Sequence, residues 1–384
     1  MIGVTVRLFE PLEVQHVRFV NRAWVSPMSQ FSARFHEGMP TDWHLVQYGS
    51  FAQGGFGLIL TESLAVSPTG RQTPFDVGLW TEQQAERWRR VTGFVHAQRL
   101  PGPDGAGITA KIGAQLAHAG RKASSKRTFP GETPGALEPA DGGWQALAPS
   151  AIPFPGFPVP TEMSIADINQ VVEDYTAAAR RAHTAGFDVV EINAAGGGLL
   201  HEFFSPLSNH RCDWYGGTFA NRVRLLRDVV ASVRKAWSGP LFVRIAAMDW
   251  SPGGWDGNDA VALSVLLRSD GVDLIDVSTG GNAVTQIPMQ PGYQVPFAER
   301  IRRFAGVPTA AAGFITDPRQ AEKIVADGQA DAVLLGRAAL REPHWPQRAA
   351  HDLGVPVEQA PYAPQHVLGA WPPPRSVTPP KHSN

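Results

Sequence analysis

Short apolar runs alternate with amphipathic stretches along most of this chain, and the alternation predicts its elements. Residues 23–28 (AWVSPM) read as a first buried strand, and 43–53 as the helix after it. Residues 57–63 predict a second strand, 83–98 an amphipathic helix, and 108–116 a third strand. Ser164 is placed to cap a helix whose apolar positions Val171, Tyr175, Ala178 and Ala182 share one face, with Gly186 as its stop. The fourth strand, Val189-Val190-Glu191-Ile192, breaks into Ala194-Ala195-Gly196-Gly197-Gly198 before a helix over 221–237. From there the rhythm is regular. Strands at 241–246, 273–278, 308–313 and 332–336 are separated by helices over 259–268, around 297–304 and over 318–327, and a last helix lies near 344–351.

Eight strands, each followed by a helix, predict a (β/α)8 TIM barrel. The runs are apolar without strict alternation, as parallel strands covered on both faces must be. An open doubly wound sheet is the competing fold. It would carry a glycine-rich dinucleotide turn after its first strand, and Met28-Ser29-Gln30-Phe31 is not one. Residues 1–20 are expected to form a small hairpin closing one end of the barrel. Between 118 and 163 the periodicity stops in a Gly/Pro/Ser-rich insert. So long a loop after strand three is expected to cap the site. The barrel is expected to span 1–355, followed by a Pro-rich tail over 356–384 that is disordered from Trp371 onward.

Composition narrows the possibilities. With 43% hydrophobic residues, the 384-residue chain has material for one large core. A net charge of -1 without long blocks of one sign points away from nucleic-acid and membrane-surface partners. The single cysteine, Cys212, excludes an intrachain disulfide framework and suits a reducing compartment. The N-terminus lacks the basic start and apolar run of a signal peptide, and no apolar run is long enough to span a bilayer. A cytoplasmic location is therefore expected.

Candidate chemistry sits at the strand ends, where such barrels keep their sites. Strands seven and eight end in Ala312-Gly313-Phe314 and Leu335-Gly336-Arg337. Glycine lets backbone N–H groups approach an anion, and arginine adds a two-pronged fork. Tight turning alone would explain one glycine; two adjacent strand ends favour a phosphorylated ligand. Gln115 and Arg244 lie near the ends of strands three and five. A buried guanidinium needs either a neighbouring carboxylate or a ligand rich in acceptors, of which a flavin's pyrimidine edge is one. Other chemistry fares worse. The twelve histidines are scattered, His201-Glu202 lacks a second histidine for a metal, and neither a G-x-S-x-G elbow nor a P-loop is present.

Several segments together carry a resemblance. They are Asn21-Arg22, Ser26-Pro27-Met28, the run KIGAQLAHAGRK from Lys111 to Lys122, His201-Glu202-Phe203, Ser205-Pro206-Leu207-Ser208-Asn209, Arg211, Asp213, Tyr215-Gly216-Gly217, Asn221-Arg222, Val243-Arg244 and Leu335-Gly336-Arg337. In this order they resemble the old yellow enzyme family, especially its compact bacterial branch. The resemblance implies an FMN-binding (β/α)8 barrel that oxidises NAD(P)H, reduces an activated C=C bond of a small molecule, and assembles as a homodimer or tetramer. It implies that Pro27, Met28, Ser29 and Ser63 line the flavin, that Gln115 meets its pyrimidine edge, and that Arg244 meets its N1/O2 region. Gly313, Gly336 and Arg337 would hold the phosphate.

The departures are concentrated. After the strand-four Val-Glu-Ile the family usually reads His-x-x-His/Asn-Gly-Tyr, where two polar residues grip the substrate's carbonyl oxygen and the tyrosine donates a proton. This chain reads Asn193-Ala194-Ala195-Gly196-Gly197-Gly198. Ser29 and Phe31 stand where the compact branch tends to have Cys and Tyr, and the stretch His366-Val367-Leu368-Gly369-Ala370-Trp371 lacks the arginine that branch often lends to a neighbouring subunit. The expectation is that Asn193 is the catalytic residue and that Ser29, Phe31, Gly196 and Gly198 line a roomier substrate pocket. An unusual or bulky substrate follows, in dehydrogenation or isomerisation as well as reduction. The alternative is an FMN-binding protein that has lost ene-reductase turnover and serves as a non-catalytic partner.

Overall fold

The computed structural model describes residues 6–101 and 107–371. The stretch expected to be disordered lies, after Trp371, outside them. Eight strands form a closed parallel barrel: β1 (Ala23–Val25), β2 (Leu58–Ala65), β3 (Lys111–Ala117), β4 (Val189–Ala194), β5 (Leu241–Ala246), β6 (Leu274–Ser278), β7 (Thr309–Ala311) and β8 (Ala332–Leu335). Each pairs with the next, and β8 closes on β1. The outer layer is α1 (Asp42–Gln53), α2 (Glu82–Ala97), α3 (Ile165–Thr184), α4 (Arg224–Ala236), α5 (Gly257–Ser269), α6 (Val295–Ala305), α7 (Pro318–Ala326) and α8 (Trp345–Asp352). Local chemistry sets their starts. Ser164 accepts the Asp167 N–H and Asp167 reaches back, a capping box on α3, while Asp256 and Asp317 cap α5 and α7.

Several expected boundaries move. Ile108 belongs to a hairpin of Arg99–Pro101 with Gly107–Thr109, and the barrel strand starts only at Lys111. The apolar run spans both pieces, so period alone conceals the break at Ala110. Strand β1 stops at Val25, ahead of Pro27, which has no N–H for the ladder. Strand β7 stops before Gly313, whose φ of +108° leaves the extended region. The helix expected from Asn221 is two, Phe219–Arg222 and Arg224–Ala236, with Val223 between them. Two short helices were not anticipated, Leu199–Phe204 and Arg337–Arg341. All six residues of the first are buried, so it carries no amphipathic signal. The insert also contains a parallel pair, Leu147–Ala148 with Thr161–Glu162.

Two apolar layers result. One lies between barrel and helices. The other fills the barrel's lower half, where Trp24, Leu58, Leu60, Val189, Phe242, Leu274 and Leu334 pack against Val14, Val17 and Phe19 of the N-terminal hairpin. Trp24 and Phe242 stack with centroids 5.9 Å apart over Phe19. This plug closes the N-terminal end of the strands and leaves the carboxyl end open.

Candidate functional site

Above that apolar floor the inward positions turn polar. Ladder register sets Gln115 beside Glu191, Asn193 beside Arg244, and Arg244 beside Asp276. Ser63 joins them through an irregularity in β2, where the pairing with β3 shifts between Leu60 and Ser63. The extra residue turns Ser63 inward and leaves Glu62 to the outer layer, where it accepts from Tyr48 and the Gln30 N–H.

The ring is closely bonded. Ser63 Oγ donates to Gln115 Oε1 at 2.8 Å, and Gln115 Nε2 donates to Glu191 Oε1 at 2.8 Å. Arg244 Nη1 donates to Asp276 Oδ2 at 2.7 Å and to Ser26 Oγ at 3.2 Å. Burial and then Asp276 push the Glu191 carboxyl well up. Burial also raises Asp276, against the pull of Arg244. Burial alone would lower the guanidinium, but Asp276 and Glu191 outweigh it and hold it charged. Only Nη1 of the guanidinium is engaged among the described residues, which leaves N–H groups available to a ligand. Glu191 Oε2 and Asp276 Oδ1 are buried without partners among the described residues.

This donor set fits FMN. Gln115 and Arg244 offer N–H groups to an acceptor-rich ring edge, and Pro27, Met28 and Ser63 border the same strand ends. At the far side Gly336 follows β8, and Arg337, exposed and without an ion pair among the described residues, lies 4.1 Å over the Phe314 ring. Phe314 itself has φ +52°, a strained conformation beside Gly313.

On the other side of β4 a cavity of about 180 Å³ opens between Ser63, Asn193 and the Gly196–Gly198 loop, with Asp76, His118 and Lys122 in its walls. Asn193 Oδ1 accepts the Ala195 N–H at 3.0 Å, so its Nδ2 faces Ser63 Oγ at 3.4 Å. A side chain at Gly196 would meet open space, whereas one at Gly197 would strike the Gly281 backbone at 2.2 Å. Burial lowers His118 to about 4 and raises Asp76 to about 6. The Gly120 N–H donates to His118 Nδ1 at 3.1 Å, which leaves the imidazole proton on Nε2.

The structure therefore gathers Ser63, Asn193, Gly196 and Gly198 around one cavity, and Gln115 and Arg244 just below the strand ends. Ser29 is exposed, and Phe31, with φ +51°, stands apart from the cavity, edge-on to Phe129 of the insert at 5.8 Å. Three cavity residues, Asp76, His118 and Lys122, had no role assigned from sequence. The last two lie in the KIGAQLAHAGRK run; Asp76 had no signal, because a lone acid in a loop is usually solvated. His201 and Glu202 are structural: His201 bonds Asp249 at 2.8 Å, and Glu202 accepts the Arg121 N–H at 2.8 Å.

Known proteins resemble this chain over most of its length. The pattern of the NADH:flavin oxidoreductase / NADH oxidase family matches residues 7–355. The chain is 44% identical to an NADPH dehydrogenase of Geobacillus thermodenitrificans over 91% of its length and 96% of the relative's. It is 42% identical to an NADPH dehydrogenase of Listeria innocua over 95% and 99%. The solved old yellow enzyme homologue of Zymomonas mobilis superposes with a TM-score of 0.72 at 26% identity, covering 95% of this chain and 99% of that one. The chain belongs to the NADH:flavin oxidoreductase / NADH oxidase family, the old yellow enzymes, and is an FMN-dependent oxidoreductase that draws its electrons from NAD(P)H.

Proposed function

We propose that this enzyme acts on a bulky or polycyclic conjugated substrate, with Asn193 orienting the oxygen of its activating group. The observation that carries the reading is the open space over Gly196 beside the Asn193 amide. Bound FMN supplies hydride exchange between NADPH and substrate. Gln115, Arg244, Ser63, Pro27, Met28 and Ser29 hold its ring, and Gly313, Gly336 and Arg337 its phosphate. Asn193 Nδ2 donates to the substrate oxygen, since Oδ1 is taken by Ala195. Ser63 Oγ accepts from that amide and itself donates to Gln115 Oε1. Gly196 and Gly198 carry no side chain that could donate, so protons come from water or from the substrate itself. Reduction, dehydrogenation and redox-neutral isomerisation are all compatible with such a site, because none of them requires a fixed acid at position 198.

Anaerobic stopped-flow tests this. Flavin bleaching by NADPH is expected, followed by faster reoxidation with a polycyclic enone than with cyclohexenone. Equal or faster reoxidation by cyclohexenone would overturn the bulky-substrate reading. Bleaching with no reoxidation by any conjugated acceptor would favour a partner without turnover.

A further inference from the structure

The cavity beside Asn193 holds one cation that the reading above does not use. Lys122 follows β3 on the turn Gly120–Lys122, and its Nζ donates to the Gly196 carbonyl at 2.8 Å. Gly196 O is its one hydrogen-bond partner among the described residues, and an ammonium has three N–H groups. The Phe154 ring of the insert lies against it at 4.5 Å. A Cβ at Gly197 would come within 2.9 Å of Nζ, and one at Gly196 would meet nothing. The ammonium therefore lies against the Gly196–Gly198 loop, in the wall of the cavity that Asn193 also lines, while the space over Gly196 stays open.

Resting on the reading that this cavity takes a conjugated substrate, we propose that Lys122 supplies the second donor to the oxygen of the activating group. It stands in for the side chains absent at Gly196 and Gly198, and it favours an oxygen that carries or develops negative charge. No proton need leave it: a hydrogen bond and a full charge in a largely desolvated site suffice.

Among the described residues no carboxylate pairs directly with that ammonium. Burial lowers Lys122 to about 8, with Glu202 pulling up and Arg121 pushing down. Glu202 is itself raised to about 8 by burial, so at neutral pH it is mostly uncharged. Of the other titratable groups in the cavity wall, His118 is neutral above its lowered value of about 4, and Asp76 ionises near about 6. The bland role is a latch that holds the Gly196 loop. A latch would not respond to the charge of a ligand.

The test is binding of pentafluorophenol, a phenol ionised at neutral pH, to the FMN-loaded protein, followed by flavin absorbance across pH. Affinity is expected to fall as the pH rises through about 8, as the ammonium is lost. Lys122→Met should weaken binding about tenfold or more at pH 7 and flatten the profile, while Lys122→Arg should keep the affinity. Labelling of Lys122 by an amine-reactive reagent on the wild-type protein gives a second readout, independent of turnover and of how the variants fold. It is expected to titrate near 8 and to be blocked by the phenol. Unchanged phenol affinity in Lys122→Met, or labelling that titrates like a surface lysine, overturns the proposal. If no conjugated acceptor turns over but both readouts behave as expected, the substrate reading fails and the anion-binding role of Lys122 stands.

Discussion

Asn193 and Ala195 are tied to each other: the Asn193 Oδ1 accepts the Ala195 backbone N–H at 3.0 Å. This short loop of one bond decides which end of the amide the cavity sees. The nitrogen end is presented, only weakly held by Ser63 Oγ at 3.4 Å, and so is ready to donate to a ligand oxygen.

Removing that donor is expected to cost about 10²-fold in rate, the usual loss for one preorganised hydrogen bond to a developing oxyanion. Asn193→Ala should show this in flavin reoxidation by a conjugated acceptor. Flavin content, read from the absorbance of the purified variant, should not change.

Gly196 offers a gain of function. Its φ is +63°, and a side chain there would enter open space. Asparagine tolerates this conformation better than other residues. Gly196→Asn is expected to add a second amide donor and raise kcat/KM for cyclohexenone by about tenfold or more. Steady-state kinetics with NADPH in excess would measure it.

Arg244 and Asp276 should behave as a buried pair. Asp276 is fully buried, and its Oδ2 receives Arg244 at 2.7 Å. Arg244→Met would leave the acid without its partner, at a cost of about 3–5 kcal/mol. A urea titration should show the lower midpoint, and the variant should purify with less bound FMN. Arg244→Met combined with Asp276→Asn should recover part of the stability.

Glu202 makes stability depend on pH. Its carboxyl is raised to about 8 in the folded protein, chiefly by burial, from an ordinary value of 4.5. Between these values the folded chain binds a proton that the unfolded chain has released, so this contribution to stability declines as pH rises from about 4.5 to about 8. Glutamine can still accept the Arg121 N–H and carries no charge to bury. Glu202→Gln is therefore expected to match the wild type in urea at acidic pH and to exceed it above pH 8, around which the wild-type acid must ionise.

The elements and their order were legible because period and capping are local. Ser164 caps its helix through a neighbour three residues away, and the apolar runs mark all eight barrel strands. The runs were silent where local pattern carries no information: the break at Ala110, and the helix Leu199–Phe204, which is buried on every side. The residues proposed to hold FMN came from polar and glycine positions at the strand ends and from motif resemblance, and none of them required a contact to be known.

What belongs to the chain alone is thus the barrel, its insert after the third strand, and the identity of the groups at the strand ends. Which of those groups meet was decided by closure of the barrel. Ser63 reaches Gln115 because β2 slips by one residue against β3, and Arg244 reaches Ser26 across 218 positions of sequence. Lys122 enters the cavity only because the loop 74 residues later has a glycine carbonyl to receive it. Such partners lie far beyond the reach of helical or strand period, so register, bulge and loop approach select them, and these exist only in the folded chain.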